Sequence, residues 1–308
     1  VSGGDVVTDA SVSPGSGPDA GAVSASSAGA TVSASSAGAT VSADERWLVA
    51  LDVDGTIMQE GGTITEAVSD QVTRLAAQGH AVMIATGRSV SMTLPVMDRL
   101  GLVSEYVVCA NGAITLGRDE SAPTGYSQAH VEEFDPTDVL TTIREGLGEA
   151  AYAVEDRDGV MRYCGSFPQV EHTGGAEKVE FEKLFEVAAT RVVVVSPSHD
   201  TDDFLDVVER MGLQKVNYNV GWTAWLDIAP DGVTKATALE RVREHLDIPR
   251  ERVLAVGDGR NDIDMLRWAS VEGRGVSMGQ APDDVHDVAN ERTGTDLDDG
   301  LAEALAQL

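Results

Sequence analysis

From Arg46 onward, short apolar runs alternate with segments whose apolar positions recur at helical spacing. Residues 47–51 read WLVAL, apolar at every position, as in a strand covered on both faces of a parallel sheet. Val68, Val72, Leu75 and Ala76 then fall on one helical stripe, and Gly79 follows where a C-terminal cap belongs. AVMIA (81–85) predicts a second strand, a helix follows over 89–100, and YVVCA (106–110) predicts a third strand. The rhythm returns late in the chain. AWLDIA (224–229) precedes a helix with Leu239, Val242 and Leu246 on one face, and VLAVG (253–257) precedes one with Ile263, Leu266 and Ala269. This alternation predicts an α/β fold: a doubly wound, mostly parallel sheet with helices on both faces.

Between 118 and 228 the rhythm changes. AYAVEDRDGVMRYCG (151–165) has two extended stretches around Asp158-Gly159 and reads as a hairpin. RVVVV (191–195) precedes a helix bearing Phe204, Leu205, Val208 and Met211, closed by Gly212. Some 110 residues are too many for a loop, so 118–228 is expected to form an inserted α+β domain between core segments 44–117 and 229–308. The first 43 residues differ again. They carry three acids, no base and no aromatic, and contain two copies of SASSAGATV between Ser24 and Val41. Two copies cannot stack into a core, and nothing bulkier than Val is present to bury, which predicts a disordered tail. A secretory leader fits poorly, for want of a basic segment and a continuous apolar stretch.

Composition narrows the function classes. The chain has 308 residues, 42% of them apolar, enough for a sizeable core in one or two domains. Fifty-one acids against 22 bases give a net charge of −29, which argues against nucleic acid and anionic membrane surfaces as partners. Apolar runs of about five residues are far short of a bilayer span. Cys109 and Cys164 make no metal or redox spacing, and the six histidines are scattered singly. Cys109, inside YVVCA, reads as a small buried hydrophobe, and a reducing cytoplasm is the expected compartment.

In open α/β sheets, ligands bind beyond the carboxyl ends of the strands. The candidates are therefore Asp52-Val53-Asp54-Gly55-Thr56 after the first strand, Thr86-Gly87-Arg88 after the second, and Gly257-Asp258-Gly259-Arg260-Asn261-Asp262 after VLAVG. Lys235 opens the helix after AWLDIAP and is one of only four lysines. The chemistry these suggest is phosphoryl transfer. Asp52 and Asp54 leave an extended backbone on the same side, and Gly55 permits a sharp turn beyond them. Paired carboxylates repel, and a hard cation such as Mg²⁺ offsets this through oxygen ligands, with Asp258 completing the protein's set. One carboxylate can then attack phosphorus while the other shuttles the leaving-group proton. Thr86 and the amides of Gly87 and Arg88, ahead of a helix, are suited to phosphate oxygens, and Lys235 places positive charge against the transferring group.

VALDVDGT, IATGR, Lys235 in APDGVTKATAL, and GDGRNDIDML also resemble the four ordered motifs of the haloacid dehalogenase superfamily of phosphohydrolases. CANGA (109–113), GVSMGQAPDDV, and the later VAN, TGT and DDGLAEAL resemble its Cof-type branch, which carries a large cap of subclass IIB between the second and third motifs. The resemblance covers 46–308. It implies Asp52 as nucleophile, and Asp54 as acid/base that also gives Mg²⁺ its backbone carbonyl. It further implies Asp258 as metal ligand, Asp262 supporting the metal from behind, and Thr86, Lys235 and Asn261 holding phosphate. Arg88 and Asn111 either touch substrate or only close their loops. Asp264 reads as a solvated helix residue.

The expectation is a Mg²⁺-dependent phosphatase for a small phosphorylated metabolite, a sugar phosphate being the leading candidate, working as a monomer or homodimer. A phosphosugar mutase would use the same Asp pair, and a non-catalytic phosphometabolite-binding protein is the alternative from another class. Two decoys fall away. Gly275–Gly279 fits the G-x-S-x-G pattern, but too little chain follows for a later acid and histidine on further strands, so GVSMG reads as a short strand with tight turns. DRDG (156–159) lacks the further acids of a calcium loop.

Overall fold

The computed structural model describes residues 40–147, 150–167, 176–196, 210–211, 216–220 and 225–308. The chain runs β1 (Leu48–Leu51), α1 (Glu66–Ala77), β2 (Ala81–Ile84), α2 (Val90–Leu100), β3 (Tyr106–Cys109), β4 (Ile114–Arg118) and β5 (Tyr126–Val131). There follow α3 (Thr137–Leu147), β6 (Ala151–Glu155), β7 (Met161–Cys164), β8 (Ala176–Lys178), β9 (Arg191–Val195), β10 (Val216–Val220) and β11 (Trp225–Pro230). The last part holds α4 (Lys235–His245), β12 (Val253–Gly257), α5 (Ile263–Ser270), β13 (Arg274–Ser277), α6 (Asp283–His286), β14 (Glu291–Arg292) and α7 (Gly300–Leu305).

All four residues of β1 are fully buried because both faces of its sheet are covered. Val49 and Leu51 point into one apolar cluster, with Val68, Val72 and Leu75 of α1, Val96 and Leu100 of α2, and Leu301 and Leu305 of α7. Leu48 and Ala50 point the other way, onto Leu239 and Val242 of α4 and Met265, Leu266 and Ala269 of α5. Each such aliphatic side chain contributes about 1.5–3 kcal/mol by leaving water, and period-2 alternation divides that gain between the two faces. The sheet order is β14-β13-β12-β1-β2, with every pairing parallel. This is the doubly wound sheet the pattern predicts. Leu51 lies opposite both Ile84 and Val256, so the residues that follow β1, β2 and β12 emerge level at one edge.

β3 joins beside β2 through a parallel bridge from Ala85 to Val108, then pairs antiparallel with β4, which pairs with β5. The chain next builds a separate sheet of order β10-β11-β9-β6-β7-β8, antiparallel except for β7 with β8. Val139, Leu140, Ile143 and Leu147 of α3 cover the face that carries Tyr152, Val154, Val192 and Val194. The hairpin around Gly159 is present, with that glycine at φ +78°.

Three sequence expectations change. The 118–228 segment starts too early, since β4 and β5 extend the β3 edge as far as Val131. AWLDIA does not begin the return to the parallel sheet either: as β11 it pairs with β9 and β10 through Pro230. Strand-then-helix order reads the same whichever sheet the strand joins. The predicted tail boundary also shifts slightly, because the Val41 amide donates to the Gln78 carbonyl at 2.8 Å. The rest of that tail, and the helix around Phe204, Leu205 and Val208, lie outside the described residues. Among the described residues no helix is long and apolar enough to cross a membrane.

Candidate active site

The parallel edge gathers the charged residues the sequence singles out. Asp52 follows β1 and is 5% exposed, Lys235 opens α4 at 1%, and Asp262 is wholly buried. Lys235 Nζ donates to Asp52 Oδ1 and to Asp262 Oδ1, each at 2.6 Å. Asp262 Oδ2 accepts the backbone amides of Asp258 and Gly259 at 3.1 and 3.0 Å, so it tightens the turn after β12 while it anchors the lysine. Burial opposes the Lys235 charge, but Asp262 and Asp52 more than offset it and push its ammonium above the usual range.

The acids are less settled. Burial, and then repulsion by Asp262, push the Asp52 carboxyl well above its ordinary value despite Lys235. Asp258 is pushed up to about 7 by burial and then by Asp262, against the Gln280 hydrogen bond. Carboxylate oxygens of Asp52, Asp258 and Asp262 all lie within 4.8 Å of one another. Three acids around one lysine leave an excess of negative charge, and the donors are all hard oxygens with no thiolate or imidazole among them. That donor set fits Mg²⁺.

Asp54 is placed differently. Its carboxylate lies outside this cluster, its side chain is 62% exposed, and Arg88 grips both oxygens, at 2.8 Å from Nε and 2.5 Å from Nη2. The hydrogen bond to Asp54 raises the Arg88 pKa beyond its normal range against the effect of burial. Asp52 and Asp54 thus do not share one environment, because the chain turns directly after Asp52 instead of remaining extended. Gly55 makes that turn at φ +78°, and a Cβ there would run into the Asp258 carboxylate. Thr86 is buried, and its hydroxyl accepts the Arg88 amide at 3.2 Å.

Ala110 and Asn111 after β3 both adopt left-handed backbone, at φ 49° and 52°. This unusual pair of residues aims Asn111 across the edge, where its Nδ2 donates to Asp227 Oδ2 at 2.9 Å and its Oδ1 accepts Asn261 Nδ2 at 3.1 Å. A cleft of about 530 Å³ opens beside the edge, lined among others by Asp54, Gly55, Asp258, Gln280 and Asp296.

Gln280 is a residue the motifs contain but sequence reasoning leaves unassigned. Its Nε2 donates to the Gly55 carbonyl at 2.5 Å and lies 3.4 Å from Asp258 Oδ2, while its Oε1 accepts the Asp296 amide at 3.1 Å. Thr56 is another, its hydroxyl 3.4 Å from Asp258 Oδ1. A polar residue three positions past a short strand, pointing back at the parallel edge, is the only sequence signal for Gln280. The G-x-S-x-G decoy resolves as β13: Ser277 is wholly buried and shares a 2.8 Å hydrogen bond with His286 Nδ1. Cys109 is buried and free, its thiol pushed up to about 12 chiefly by burial.

The family model of haloacid dehalogenase-like hydrolases matches residues 49–305. The chain is 27% identical over 271 residues to the 5-amino-6-(5-phospho-D-ribitylamino)uracil phosphatase YitU of Bacillus subtilis, covering 85% of this chain and 97% of that protein. It is similar to the solved phosphatase BT1666 of Bacteroides thetaiotaomicron, with a TM-score of 0.69 and 25% identity over 86% of this chain and 95% of the other. The subclass IIB sugar phosphatase BT4131 shares the fold at a TM-score of 0.70 and 20% identity, with 85% and 98% covered. With a match running from β1 to α7 and the four motif clusters on one sheet edge, the chain belongs to the haloacid dehalogenase-like hydrolases and is an enzyme of that class.

Proposed function

We propose that this phosphatase hydrolyses the phosphate monoester of a small metabolite, a sugar or sugar-alcohol phosphate, with Mg²⁺ and through an aspartyl-phosphate on Asp52. The observation that carries this reading is the Asp52 carboxylate itself, buried at the strand end with Oδ1 fixed by Lys235. Asp52 and Asp258, together with the backbone carbonyl of Asp54, would hold the ion, and Asp262 would support it by fixing the turn and the lysine. When bound, Mg²⁺ supplies the positive charge that lets a carboxylate approach a phosphate dianion.

Lys235 orients Asp52 so that its free oxygen faces the phosphorus. That oxygen bonds to phosphorus as the ester P–O bond breaks, and the Asp54 carboxyl gives a proton to the departing alkoxide. Asp54, now a carboxylate, takes a proton from water. The resulting hydroxyl bonds to phosphorus, the bond to Asp52 breaks, and phosphate leaves with Asp52 regenerated. Arg88 holds Asp54 by both carboxylate oxygens beside the loop that follows β2. The Gly87 amide, the Thr86 hydroxyl and Asn261 line the same edge and suit phosphate oxygens. The six-stranded sheet would act as the cap that excludes water and reads the leaving group.

The test is phosphate release from a panel of phosphorylated metabolites with Mg²⁺, the ribitylamino-uracil ester among them, for wild type and Asp52→Asn. Release from at least one ester by wild type, and none by a folded Asp52→Asn, is expected. A panel with no release, or a variant that still turns over, overturns the reading. Migration of phosphate within a hexose phosphate without release would make the enzyme a mutase.

A further inference from the structure

The six-stranded sheet carries a second buried group of charges that no motif announces. Glu155 ends β6 directly opposite Arg191, which opens β9, and Asp227 lies on β11. Arg191 Nε donates to Glu155 Oε2 at 2.6 Å, and its Nη1 is 3.5 Å from Asp227 Oδ2. Glu155 is wholly buried and Arg191 is 7% exposed. One carboxylate oxygen, Glu155 Oε1, is buried with no hydrogen-bond partner among the described residues. Buried ion pairs often stabilise less than apolar side chains of the same volume, so stability alone gives no reason for this group here.

What the group holds is the phosphate loop. Arg191 Nη1 donates to the backbone carbonyl of Gly87, between Thr86 and Arg88. In a trans peptide the carbonyl and the following N–H point in opposite directions. The Gly87 carbonyl is taken by Arg191 and the Arg88 N–H by the Thr86 hydroxyl at 3.2 Å. The plane of this peptide is therefore fixed from both sides, and it carries the side chain that grips both oxygens of Asp54. Asp227 reaches the same edge by a separate route, through Asn111 to Asn261.

We propose that Arg191 is a positioning residue for proton transfer: anchored by Glu155 and Asp227, it sets the Gly87–Arg88 peptide and so the placement of Asp54 for the leaving-group oxygen. The proposal rests on the phosphatase reading. It separates Arg191 from the nucleophilic step, in which Asp52 and Lys235 act without it. An ester whose leaving group departs as a stable anion needs no proton, whereas an alkyl ester does.

The experiment measures kcat/KM with Mg²⁺ for p-nitrophenyl phosphate and for β-glycerophosphate, in wild type, Arg191→Lys and Glu155→Gln. Lysine keeps the charge but cannot span Glu155, Asp227 and the Gly87 carbonyl together. The ratio of alkyl to aryl ester is expected to fall on the order of 100-fold in Arg191→Lys, the scale of a general acid's contribution, with the aryl ester itself falling no more than about tenfold. Glu155→Gln, which keeps the volume and loosens the anchor, should move the ratio about tenfold in the same direction. If Arg191→Lys does not fold by circular dichroism, Glu155→Gln decides alone. An unchanged ratio in a folded variant overturns the proposal. Wild type that hydrolyses neither ester, and nothing in the metabolite panel, overturns the phosphatase reading instead.

Discussion

Two buried charge clusters sit some residues apart on the same molecule, and they are built for different ends. Around Lys235 stand Asp52, Asp262 and Asp258, three acids to one base, beside an open cleft. Around Arg191 stand Glu155 and Asp227, with the Gly87 carbonyl accepting from Arg191 and the Asn111 amide donating to Asp227, between the six-stranded sheet and the Thr86–Arg88 loop. In the first, burial and mutual repulsion leave Asp258 near 7 and Asp52 well above its ordinary range. In the second, burial raises Asp227 too, but Arg191 faces it directly as the largest opposing influence. Excess charge of one sign at the mouth of a cleft is suited to receive a cation. A base clasped between acids and a backbone carbonyl is suited to fix geometry.

The largest effects should come from deleting the base of each cluster. Lys235→Met leaves Asp52 and Asp262 buried without their partner, and Arg191→Met does the same to Glu155 and Asp227. Each is expected to lose about 3–5 kcal/mol in urea unfolding, the usual result of breaking a buried ion pair from one side. The comparison turns on rescue. Millimolar Mg²⁺ should restore part of the stability of Lys235→Met and none of that of Arg191→Met. Equal responses would mean that the two clusters do not differ in the way their charge excess implies.

Next in size is the response of wild type to the ion. At a hundredfold excess over Kd, a ligand that binds only the folded state stabilises it by about 2.7 kcal/mol. Thermal melting with Mg²⁺ and then with a chelator should show a reversible rise in Tm. Asp258→Asn should melt higher than wild type without Mg²⁺, because it removes one of three mutually repelling acids, and should lose most of the rise. A variant that melts lower without metal and still responds would place the ion elsewhere.

The first cluster is legible in the sequence because each part lies beside a strong local signal. Asp52 and Asp258 follow four- or five-residue apolar strands, and Lys235 directly follows a Thr N-cap that accepts the Thr237 amide. Parallel pairing then brings the strand ends level without any further information. The second cluster has no such signal. Arg191 is 36 residues from Glu155 on one side and 36 from Asp227 on the other, and the three meet only through the order β11-β9-β6. Residue types do not supply that order, and the same gap explains why a strand that reads as part of the parallel sheet, WLDIAP, pairs with β9 and β10 instead. Asp54 shows a third case. The family resemblance implies its part as acid/base, yet its exposure and its grip by Arg88 depend on the turn at Gly55.

The smallest effect serves as a calibration for both clusters. Glu240 on α4 takes two 2.8 Å hydrogen bonds from Arg243 and one from Trp268 Nε1 at 2.8 Å, with its side chain 27% exposed. The Arg243 hydrogen bond leads the causes that lower its carboxyl to about 2, burial opposing. A carboxylate with a depressed folded-state pKa stabilises the fold above the unfolded value near 4.5, and that contribution disappears as pH falls through about 2. Glu240→Gln should therefore cost about 1 kcal/mol at neutral pH, discounted for solvent screening, with the gap to wild type closing as the medium is acidified. Molar salt should shrink the same gap, because a partly exposed network is screened, while the penalty in Arg191→Met should scarcely change. Urea midpoints at neutral and acid pH, with and without salt, measure both. If the Glu240 gap survives at pH 2, or the Arg191 penalty falls with salt as much as the Glu240 gap does, then burial is not what separates the inner clusters from the surface.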